Sequence, residues 1–263
     1  MDYTRQEMMA IATGREFSDG ELAIFGVGLS MLAGFWAQKN HAPNLIAFTE
    51  GGVFGSTPVG GLPWGIEDNR ISANATSFTN AIDALGCMVA SGRVDNAVIG
   101  AAQIDKYGNV NTTGIWAGET PWSAGKYVLP RVRLNGSGGA NEIAVGAKKY
   151  VIMANHEKKR FAEKVDYISS PGYINGGNDR EKYHFPGGGP SAIVTTLGIL
   201  RPDPVTKEFI LDSYFPFSSI EEIKENTGWN LKVSPDVKVV PEPTELELAN
   251  LREIDVTGSL RKK

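Results

Sequence analysis

The sequence predicts an α/β protein with a largely parallel or mixed open sheet that is flanked by helices. Short apolar runs of strand length alternate along the chain with longer segments of helical periodicity. Several of these runs end in glycine and polar residues, as buried parallel strands do where they meet a loop. Helices that alternate with strands indicate βαβ units, which build a parallel sheet.

The N-terminal half carries most of this alternation. Residues 3–12 have the spacing of an opening helix, and residues 21–28 form a short apolar strand that runs into a glycine turn. Residues 29–38 return to helical periodicity. The following predicted elements are a strand at 45–49, an amphipathic helix at 79–91 and a strand at 96–103.

The C-terminal half is predicted from shorter signals. Strands are expected at residues 127–134, 150–153 and 191–196, followed by a meander at 198–201 and 208–211. Ser219 is an N-cap residue for a helix at 220–227, and a last helix at 244–254 follows a proline-rich turn. We expect residues 1–263 to form one domain, with a C-terminal helix and a frayed tail beyond about residue 243.

Composition excludes several classes of protein. The chain has 263 residues, of which 41% are hydrophobic, and a net charge of -4, which argues against a general nucleic-acid or membrane surface. No apolar run approaches the roughly 18 residues of a membrane span, and no leader pattern opens the chain. The single cysteine, Cys87, excludes an internal disulfide and is expected in the core. A soluble, unprocessed protein of the reducing cytoplasm is therefore expected.

A single carboxylate follows the strand predicted at residues 45–49. Glu50 ends this apolar run, and Gly51 and Gly52 come directly after it. Ligands of open α/β sheets bind beyond the carboxyl ends of parallel strands. An ordinary glutamate is ionised at neutral pH, so it needs placement rather than a base to act as a nucleophile. We predict Glu50 as the catalytic residue and the two glycines as substrate contacts; a capping or solvated glutamate is the alternative.

Residues 51–65 form an uncharged apolar loop with six glycines and two prolines. Such a segment suits neither a regular helix nor a central strand, so it is a candidate groove wall or subunit contact. We predict that Phe54 contacts substrate and that Val53, Leu62 and Trp64 help it to close over the site. A buried omega-like loop is equally compatible with the pattern.

A second glycine cluster at residues 135–144 enters a predicted helix. Successive glycine amides in such a turn can form a nest for a negatively charged oxygen, and we predict Gly138, Gly139 and Ala140 as its donors. A tight loop with an N-cap is the alternative. Gln103 is predicted as a substrate contact, because it ends the strand at 96–103.

Other ligand sites receive no support from the sequence. The glycine turn at residues 26–28 lacks the third glycine of a dinucleotide fingerprint, because Met31 occupies that position. Asp105 and Asn109 are expected to hold a turn rather than to contact substrate. His156 lies in a mixed-charge run expected on the surface, and no histidine pair has metal-binding spacing, so no metal site and no histidine catalyst are predicted.

Several ordered segments together resemble the class I CoA-transferases, most closely the β subunits of glutaconate CoA-transferases. The resemblance covers nearly the whole chain. It is carried by Thr49-Glu50-Gly51-Gly52 with residues 56–58, by residues 100–105 with 107–111, and by Gly136-Ser137-Gly138-Gly139-Ala140-Asn141. Residues 156–158 with 160–161, 166–167 with 169–172, and 225–228 extend it. The resemblance to glutaconate CoA-transferases leads one to expect Glu-Ser-Gly in the first segment. This chain instead has Gly51 at the position of the serine.

The resemblance implies a subunit of the CoA-transferase (NagB/RpiA/CoA-transferase-like) fold, with Glu50 at the position of the family's catalytic glutamate. It also implies a partner α subunit in a hetero-oligomer, a heterotetramer or larger, with acyl-CoA and a carboxylic acid, dicarboxylic or related, as substrates. Coenzyme A is then a substrate, and no permanently bound cofactor is expected. The implied reaction is ping-pong transfer of CoA through a glutamyl-CoA thioester.

Three functional hypotheses remain open at this point. The chain is a CoA-transferase subunit, a CoA-ester hydrolase, ring-opening lyase or decarboxylase on the same fold, or a noncatalytic anion-binding or assembly subunit. The carboxylate at Glu50 favours the first two over the third, because a purely structural subunit needs no carboxylate between an apolar strand and a glycine turn. Retention of the glutamate favours transfer, since relatives recruited to other reactions often replace it.

Overall fold

A ten-stranded sheet forms the centre of the molecule in the computed structural model, which describes residues 2–57, 59–66, 68–116, 121–123, 125–258 and 260. The sheet strands are β1 (Leu22–Phe25), β2 (Ile46–Phe48), β3 (Val53–Phe54), β4 (Ser77–Phe78), β5 (Asn96–Gly100), β12 (Tyr150–Ala154), β13 (Pro190–Thr195), β14 (Gly198–Pro202), β15 (Phe209–Tyr214) and β16 (Val233–Val239). Two-stranded pairs are made by β6 (Gln103–Ile104), β7 (Val110–Asn111), β8 (Gly114–Ile115), β9 (Trp122–Ser123), β10 (Lys126–Tyr127) and β11 (Val132–Arg133).

The sheet is parallel in its middle and has antiparallel pairs towards both sides, while the outermost strand β16 pairs in parallel with β15. Its order is β16-β15-β14-β13-β12-β5-β1-β2-β3-β4. The five strands from β13 to β2 pair in parallel. Antiparallel pairs then extend the sheet through β3 and β4 on one side and through β14 and β15 on the other. The predicted mixed, largely parallel α/β sheet is confirmed.

Helices cover both faces of this sheet. They are α1 (Arg5–Gly14), α2 (Leu29–Asn40), α3 (Asn69–Ser72), α4 (Ala140–Gly146), α5 (Asp179–Lys182), α6 (Ile220–Glu225), α7 (Glu245–Ile254) and a π-helix (Ile82–Val89). Ser219 caps α6 as predicted, since its side chain accepts a hydrogen bond from the Glu222 amide. None of the helices in the described ranges is long and apolar enough to cross a membrane.

Alternate residues of the central strands enter two separate hydrophobic cores. In β12, Val151 and Met153 belong to the core that packs against α1, α2 and α7, whereas Ile152 belongs to the core on the opposite face. This period of two buries both faces of the sheet, which explains why its strands read as continuous apolar runs.

Three predicted elements differ in the structure. The strand predicted at residues 96–103 is divided into β5 in the large sheet and β6 outside it. The strand predicted at residues 127–134 is two short strands, β10 and β11, outside the large sheet. Pro130 lies between them, and a proline has no amide to donate to a ladder. The helix predicted at 79–91 is the shorter π-helix, and Cys87 on it is exposed rather than in the core.

The expectation of a surface position for His156 is wrong. Its side chain is only 5% exposed and stacks on Phe161 with ring centroids 4.1 Å apart. Its two ring nitrogens lie 3.1 Å from the Thr195 hydroxyl and 3.0 Å from the Thr227 hydroxyl. Desolvation by this burial lowers the pKa of His156 to about 4.

The buried imidazole should make folding stability depend on pH. The pKa of His156 is about 4 in the fold against 6.5 as its ordinary value, so the unfolded chain binds the proton first as pH falls. Stability is therefore highest above pH 6.5 and declines between there and about pH 4, by up to roughly 3 kcal/mol from this group. Urea unfolding across this range should show a smaller decline for His156→Gln, whereas an equal decline in both proteins would refute the assignment.

Candidate active site

A cavity of about 630 Å³ opens at the point where the strand order changes direction. The chain places β2 on one side of β1 and then β5 on the other side. Such a switch leaves a crevice beyond the carboxyl ends of the two strands, where ligands of α/β proteins bind. The cavity lining includes residues 24–27 at the end of β1 and residues 98–102 at the end of β5.

Three charged side chains line the cavity among the described residues. They are Glu50, Arg133 and Arg160. The neutral polar lining residues are Ser30, Thr112, Asn135, Ser137 and Asn155. In the described ranges, histidine, cysteine and acidic side chains nowhere meet in a group of three that could hold a metal ion. The cavity can therefore offer one carboxylate, two guanidinium groups and backbone amides to a ligand.

Glu50 lies at the tip of the hairpin that joins β2 to β3. The Gly52 amide donates to the Thr49 carbonyl at 2.9 Å, and the Thr49 amide donates to the Val53 carbonyl at 3.1 Å. These bonds define a tight turn with Glu50 at its second position. The turn projects a partly buried carboxylate into the cavity. Glu50 therefore lies at a strand end and beside the cavity, which is the position that the sequence predicted.

The two glycines after Glu50 have different roles in this turn. Gly52 has a φ of +87°, and a Cβ there would lie 2.6 Å from the Thr79 carbonyl carbon. Gly51 has space, since the nearest atom to a Cβ would be the Thr49 hydroxyl at 3.7 Å. Only glycine suits the backbone at Gly52. Neither glycine lines the cavity, so the predicted substrate contacts would have to form at its edge.

A pair of alanine substitutions separates these roles. Gly52→Ala is expected to lower the free energy of unfolding by about 1 to 3 kcal/mol, because it forces a side chain into the left-handed region and against Thr79. Gly51→Ala, its matched control, should change that free energy by less than about 0.5 kcal/mol. Urea unfolding of both variants gives the comparison, and equal losses would show that the turn does not require glycine at Gly52.

The second glycine cluster faces Glu50 across the cavity. Gly138 has a φ of +53° and Gly139 a φ of −79°, a left-handed to right-handed sequence that points successive amides to one side. The Gly139 amide donates to Glu50 Oε2 at 3.3 Å. The Gly138 amide donates to no atom of the residues that the structure describes. One of the three predicted donors, the Gly139 amide, is therefore in contact with the carboxylate.

Ala140 does not offer its amide to this nest. That amide donates to the Ser137 carbonyl at 3.0 Å, because Ser137 to Ala140 closes a turn at the start of α4. Among the three predicted donors, Gly138 and Gly139 therefore remain available near Glu50, and Ala140 is an internal hydrogen-bond donor instead. Ala140 still lines the cavity through its other atoms.

The structure places Gln103 beside the cavity rather than in its lining. Its Oε1 accepts from Asn111 Nδ2 and from the Asp166 amide, both at 2.9 Å, and its Nε2 donates to Asp166 at 3.3 Å. These bonds use both ends of the buried amide. Gln103 thereby ties β6 to its neighbours, which is a supporting contact and not an exposed substrate contact.

Asp105 and Asn109 hold a turn, as predicted. Asp105 Oδ1 accepts from the Tyr107 amide at 3.0 Å and from the Asn109 amide at 3.1 Å. The Asn109 side chain donates back to both Asp105 oxygens. Both residues are almost fully buried, and neither lines the cavity.

The described residues of the apolar loop, 51–57 and 59–65, do not line the cavity. Phe54 stacks on Phe48 with ring centroids 4.4 Å apart, and Val53 and Leu62 pack against a hydrophobic core. Trp64 is 69% exposed. None of these four predicted lid residues lines the cavity among the described residues. Their side chains instead support the hairpin of Glu50 or face outward.

Many cavity residues were not predicted as site residues, and two of them lie in one charged segment. Arg160 and Asn155 both follow β12, in the mixed-charge segment expected on the surface. Arg160 Nη1 donates to the Ala101 carbonyl at 3.2 Å, so the segment folds back over the end of β5. Their position just after a strand could have marked them as candidate site residues, because ligands of parallel sheets bind beyond the carboxyl ends of the strands.

Comparisons with known proteins agree with this geometry. A family model described as "Coenzyme A transferase" matches residues 6–226. The B subunit of the 3-oxoadipate CoA-transferase of Pseudomonas knackmussii is 36% identical over 253 residues, which cover 96% of this chain and 94% of that protein. The B subunit of the glutaconate CoA-transferase of Acidaminococcus fermentans is 37% identical over 261 residues, which cover 97% of this chain and 93% of that protein.

A solved structure matches the whole fold. The crystal structure of glutaconate coenzyme A-transferase from Acidaminococcus fermentans superposes with a TM-score of 0.89 and 35% sequence identity. The match covers 100% of this chain and 98% of the other chain. The ten-stranded sheet and its switch point are therefore part of a shared architecture.

Proposed function

Because the chain belongs to the coenzyme A transferase family and is similar throughout to B subunits of two-subunit enzymes, we propose that Glu50 carries the CoA during transfer. In this proposal CoA passes from an acyl-CoA thioester to a carboxylic acid by a ping-pong mechanism. The observation that supports it most is the contact of Glu50 with the Gly139 amide at the wall of the cavity.

The proposed reaction consists of paired acyl transfers. A Glu50 oxygen attacks the thioester carbonyl, and CoA leaves as the thiolate. That thiolate attacks the glutamyl carbonyl of the mixed anhydride, which releases the first acid and forms the glutamyl-CoA thioester. An incoming carboxylate then attacks this thioester, and the released thiolate takes the new acyl group from the second anhydride. Glu50 is regenerated as a carboxylate, and no metal or redox cofactor takes part.

The amides of Gly138 and Gly139 are the proposed oxyanion donors. Each attack places negative charge on a carbonyl oxygen, and fixed backbone amides in a sheltered cavity stabilise such charge without reorganising. The Gly139 amide already donates to the carboxylate oxygen in the resting state. When that carboxylate becomes an acyl group, the same amide faces its carbonyl oxygen. Loss of one such donor typically costs about 2.7 to 4 kcal/mol in the barrier.

The acid substrate proposed here is a dicarboxylic or related acid. Both of the B subunits compared above are named for dicarboxylic acids, 3-oxoadipate and glutaconate. The resemblance to glutaconate CoA-transferases would place a serine at the position of Gly51. With glycine there, this chain lacks a hydroxyl next to the nucleophile. This difference concerns how the acid is oriented rather than whether it can be activated.

The partner is proposed to be an α subunit that contacts the side of the sheet next to Glu50. Large apolar side chains are exposed there, including Trp64, Phe78 on the outer strand β4 and Ile82 on the π-helix, which is 78% exposed. Exposed apolar surface of this kind is typical of an interface. We also propose the cytoplasm as the location, since the free thiol of Cys87 suits a reducing compartment.

The test is an assay of the chain alone and in complex with its α subunit. The complex should move CoA from acetyl-CoA to an added dicarboxylic acid, while the isolated chain should be inactive. Omitting the acid separates transfer from hydrolysis. If the complex releases free CoA and acetate equally fast without an acid acceptor, the hydrolase alternative replaces this proposal.

A further inference from the structure

The two guanidinium groups of the cavity differ in position. Arg133 is exposed, whereas the Arg160 side chain is 31% exposed and lies over the end of β5. Glu50 follows β2, which is separated from β5 by the single strand β1. The cavity therefore has a carboxylate towards one end and an inner cation towards the other.

The backbone holds Arg160 in place. Its carbonyl accepts from the Ile104 amide at 2.7 Å, and its Nη1 donates to the Ala101 carbonyl at 3.2 Å. These two bonds attach the residue at both ends to the segment after β5. The side chain is thus oriented before any ligand binds, which reduces the entropy lost on binding.

Part of the guanidinium remains available for an anion. Arg160 Nε is buried and forms a long ion pair with Glu157 Oε2 at 3.6 Å, an oxygen that lies closer to Lys159 Nζ, at 2.9 Å, so the part that can reach a ligand is Nη2. Arg160 Nη2 donates to no atom in the described part of the chain. A guanidinium presents its N–H groups as a planar fork that matches a carboxylate.

Glu50 lies beyond the end of β2 and the Arg160 side chain beyond the end of β5, and the spacing of these two strands is compatible with a short dicarboxylic acid. Two strand spacings separate β2 from β5, so the two strand axes are roughly 10 Å apart. An extended chain of five or six carbons spans roughly 5 to 6 Å between its carboxyl carbons, and contacts of about 3 Å at both ends bring the total to a similar length. A carboxylate at one end can thus face Glu50 while the other end faces Arg160.

We infer that Arg160 binds the second carboxylate of the acid substrate and so selects dicarboxylic over monocarboxylic acids. This inference rests on the proposed function, and it adds the residue that sets the substrate class. A phosphate of CoA is the competing anion. It lies a full pantetheine arm away from the thioester, however, and the exposed Arg133 is better placed for it than the inner Arg160.

The experiment compares two acids that differ only in the second carboxylate. Acetyl-CoA is the fixed donor for the complex with the α subunit, and glutaconate is compared with 2-pentenoate, in which a methyl group replaces one carboxylate. Arg160→Gln is expected to lower kcat/KM for glutaconate by about 10- to 100-fold, because a hydrogen-bonded charge pair is lost. It should leave kcat/KM for 2-pentenoate within about threefold, and Arg160→Lys should recover part of the glutaconate rate.

The matched control is Lys158→Gln, which removes a positive charge two residues away on an exposed side chain that does not line the cavity. It should alter neither acid's rate. Equal losses for both acids in Arg160→Gln would overturn the inference, as would a raised KM for acetyl-CoA without discrimination between the acids. Should Arg160→Gln fail to fold, the wild-type preference decides: glutaconate must be favoured over 2-pentenoate. Transfer to both acids at similar rates would refute the role of Arg160 alone, whereas no transfer to any acid would refute the proposed function.

Discussion

Replacing Glu50 with glutamine is expected to lower kcat for CoA transfer by roughly 10⁴-fold or more, which is the scale seen when a nucleophile is removed. The amide nearly matches the carboxylate in size and can still accept from the Gly139 amide. It carries no charge, however, and cannot form the anhydride or the thioester. Because the shape of the turn is kept, folding stability should change little.

The matched acidic control is Glu163→Gln. Glu163 is 69% exposed and pairs only weakly with Lys106 at 3.5 Å. Its replacement should leave kcat unchanged. Glu50→Asp adds a test of placement, since a carboxylate drawn back by about 1 Å can lose around a hundredfold in rate while it keeps its charge. Transfer by Glu50→Gln at a rate near that of wild type would rule out Glu50 as the nucleophile.

Gly139→Ala is expected to lower kcat by roughly 100- to 1,000-fold, the second largest effect. A Cβ at this position would lie 2.8 Å from Glu50 Oε2 and 3.0 Å from Leu85 Cδ2. The methyl group would therefore push the carboxylate away from its amide donor. The backbone of Gly139 has an ordinary negative φ, so alanine itself is not strained there.

Gly86→Ala gives a comparison on the neighbouring π-helix. A Cβ at Gly86 would have no neighbour closer than Ile82 Cγ2 at 4.0 Å, and the residue does not line the cavity. Steady-state kinetics should show a normal kcat for Gly86→Ala and a strongly reduced kcat for Gly139→Ala. A normal kcat in both variants would show that the contact between Glu50 and Gly139 does not matter for turnover.

The sequence could predict the parts of the site that depend on local structure. The apolar strand before Glu50 and the glycines that enter α4 are short patterns whose geometry is set by neighbouring residues. Glu50 follows a parallel strand of the large sheet, whereas Gly139 follows β11 outside that sheet, so their contact depends on how distant segments pack and could not be predicted from either pattern alone.

The remaining parts depend on contacts between distant segments. Gln103 lies at a strand end, but its side chain is used by Asn111 and Asp166, which no local pattern reveals. Charged residues are frequent in the segment around His156 and Arg160, and this pattern predicts a position on the protein surface. In the fold its ends pack against Thr195 and Ala101, so one residue is buried and the other enters the cavity.

The apolar loop at residues 51–65 shows a different reason for a missed prediction. Its composition indicates a contact surface but does not say which one. In this chain Phe54 packs on Phe48, whereas Trp64 is exposed. The pattern therefore does not separate the side chains that pack inside the chain from those that face outward.

Chemical trapping of Glu50 during turnover shows directly whether this carboxylate carries the CoA. The complex is incubated with acyl-CoA in the absence of an acid acceptor, treated with borohydride and analysed by peptide mass spectrometry. A thioester on Glu50 is predicted to be reduced to an alcohol, with loss of activity in proportion to the modification, and Glu50→Gln should give no such product. An unmodified Glu50 peptide from enzyme that is actively transferring CoA would show that Glu50 does not carry the CoA.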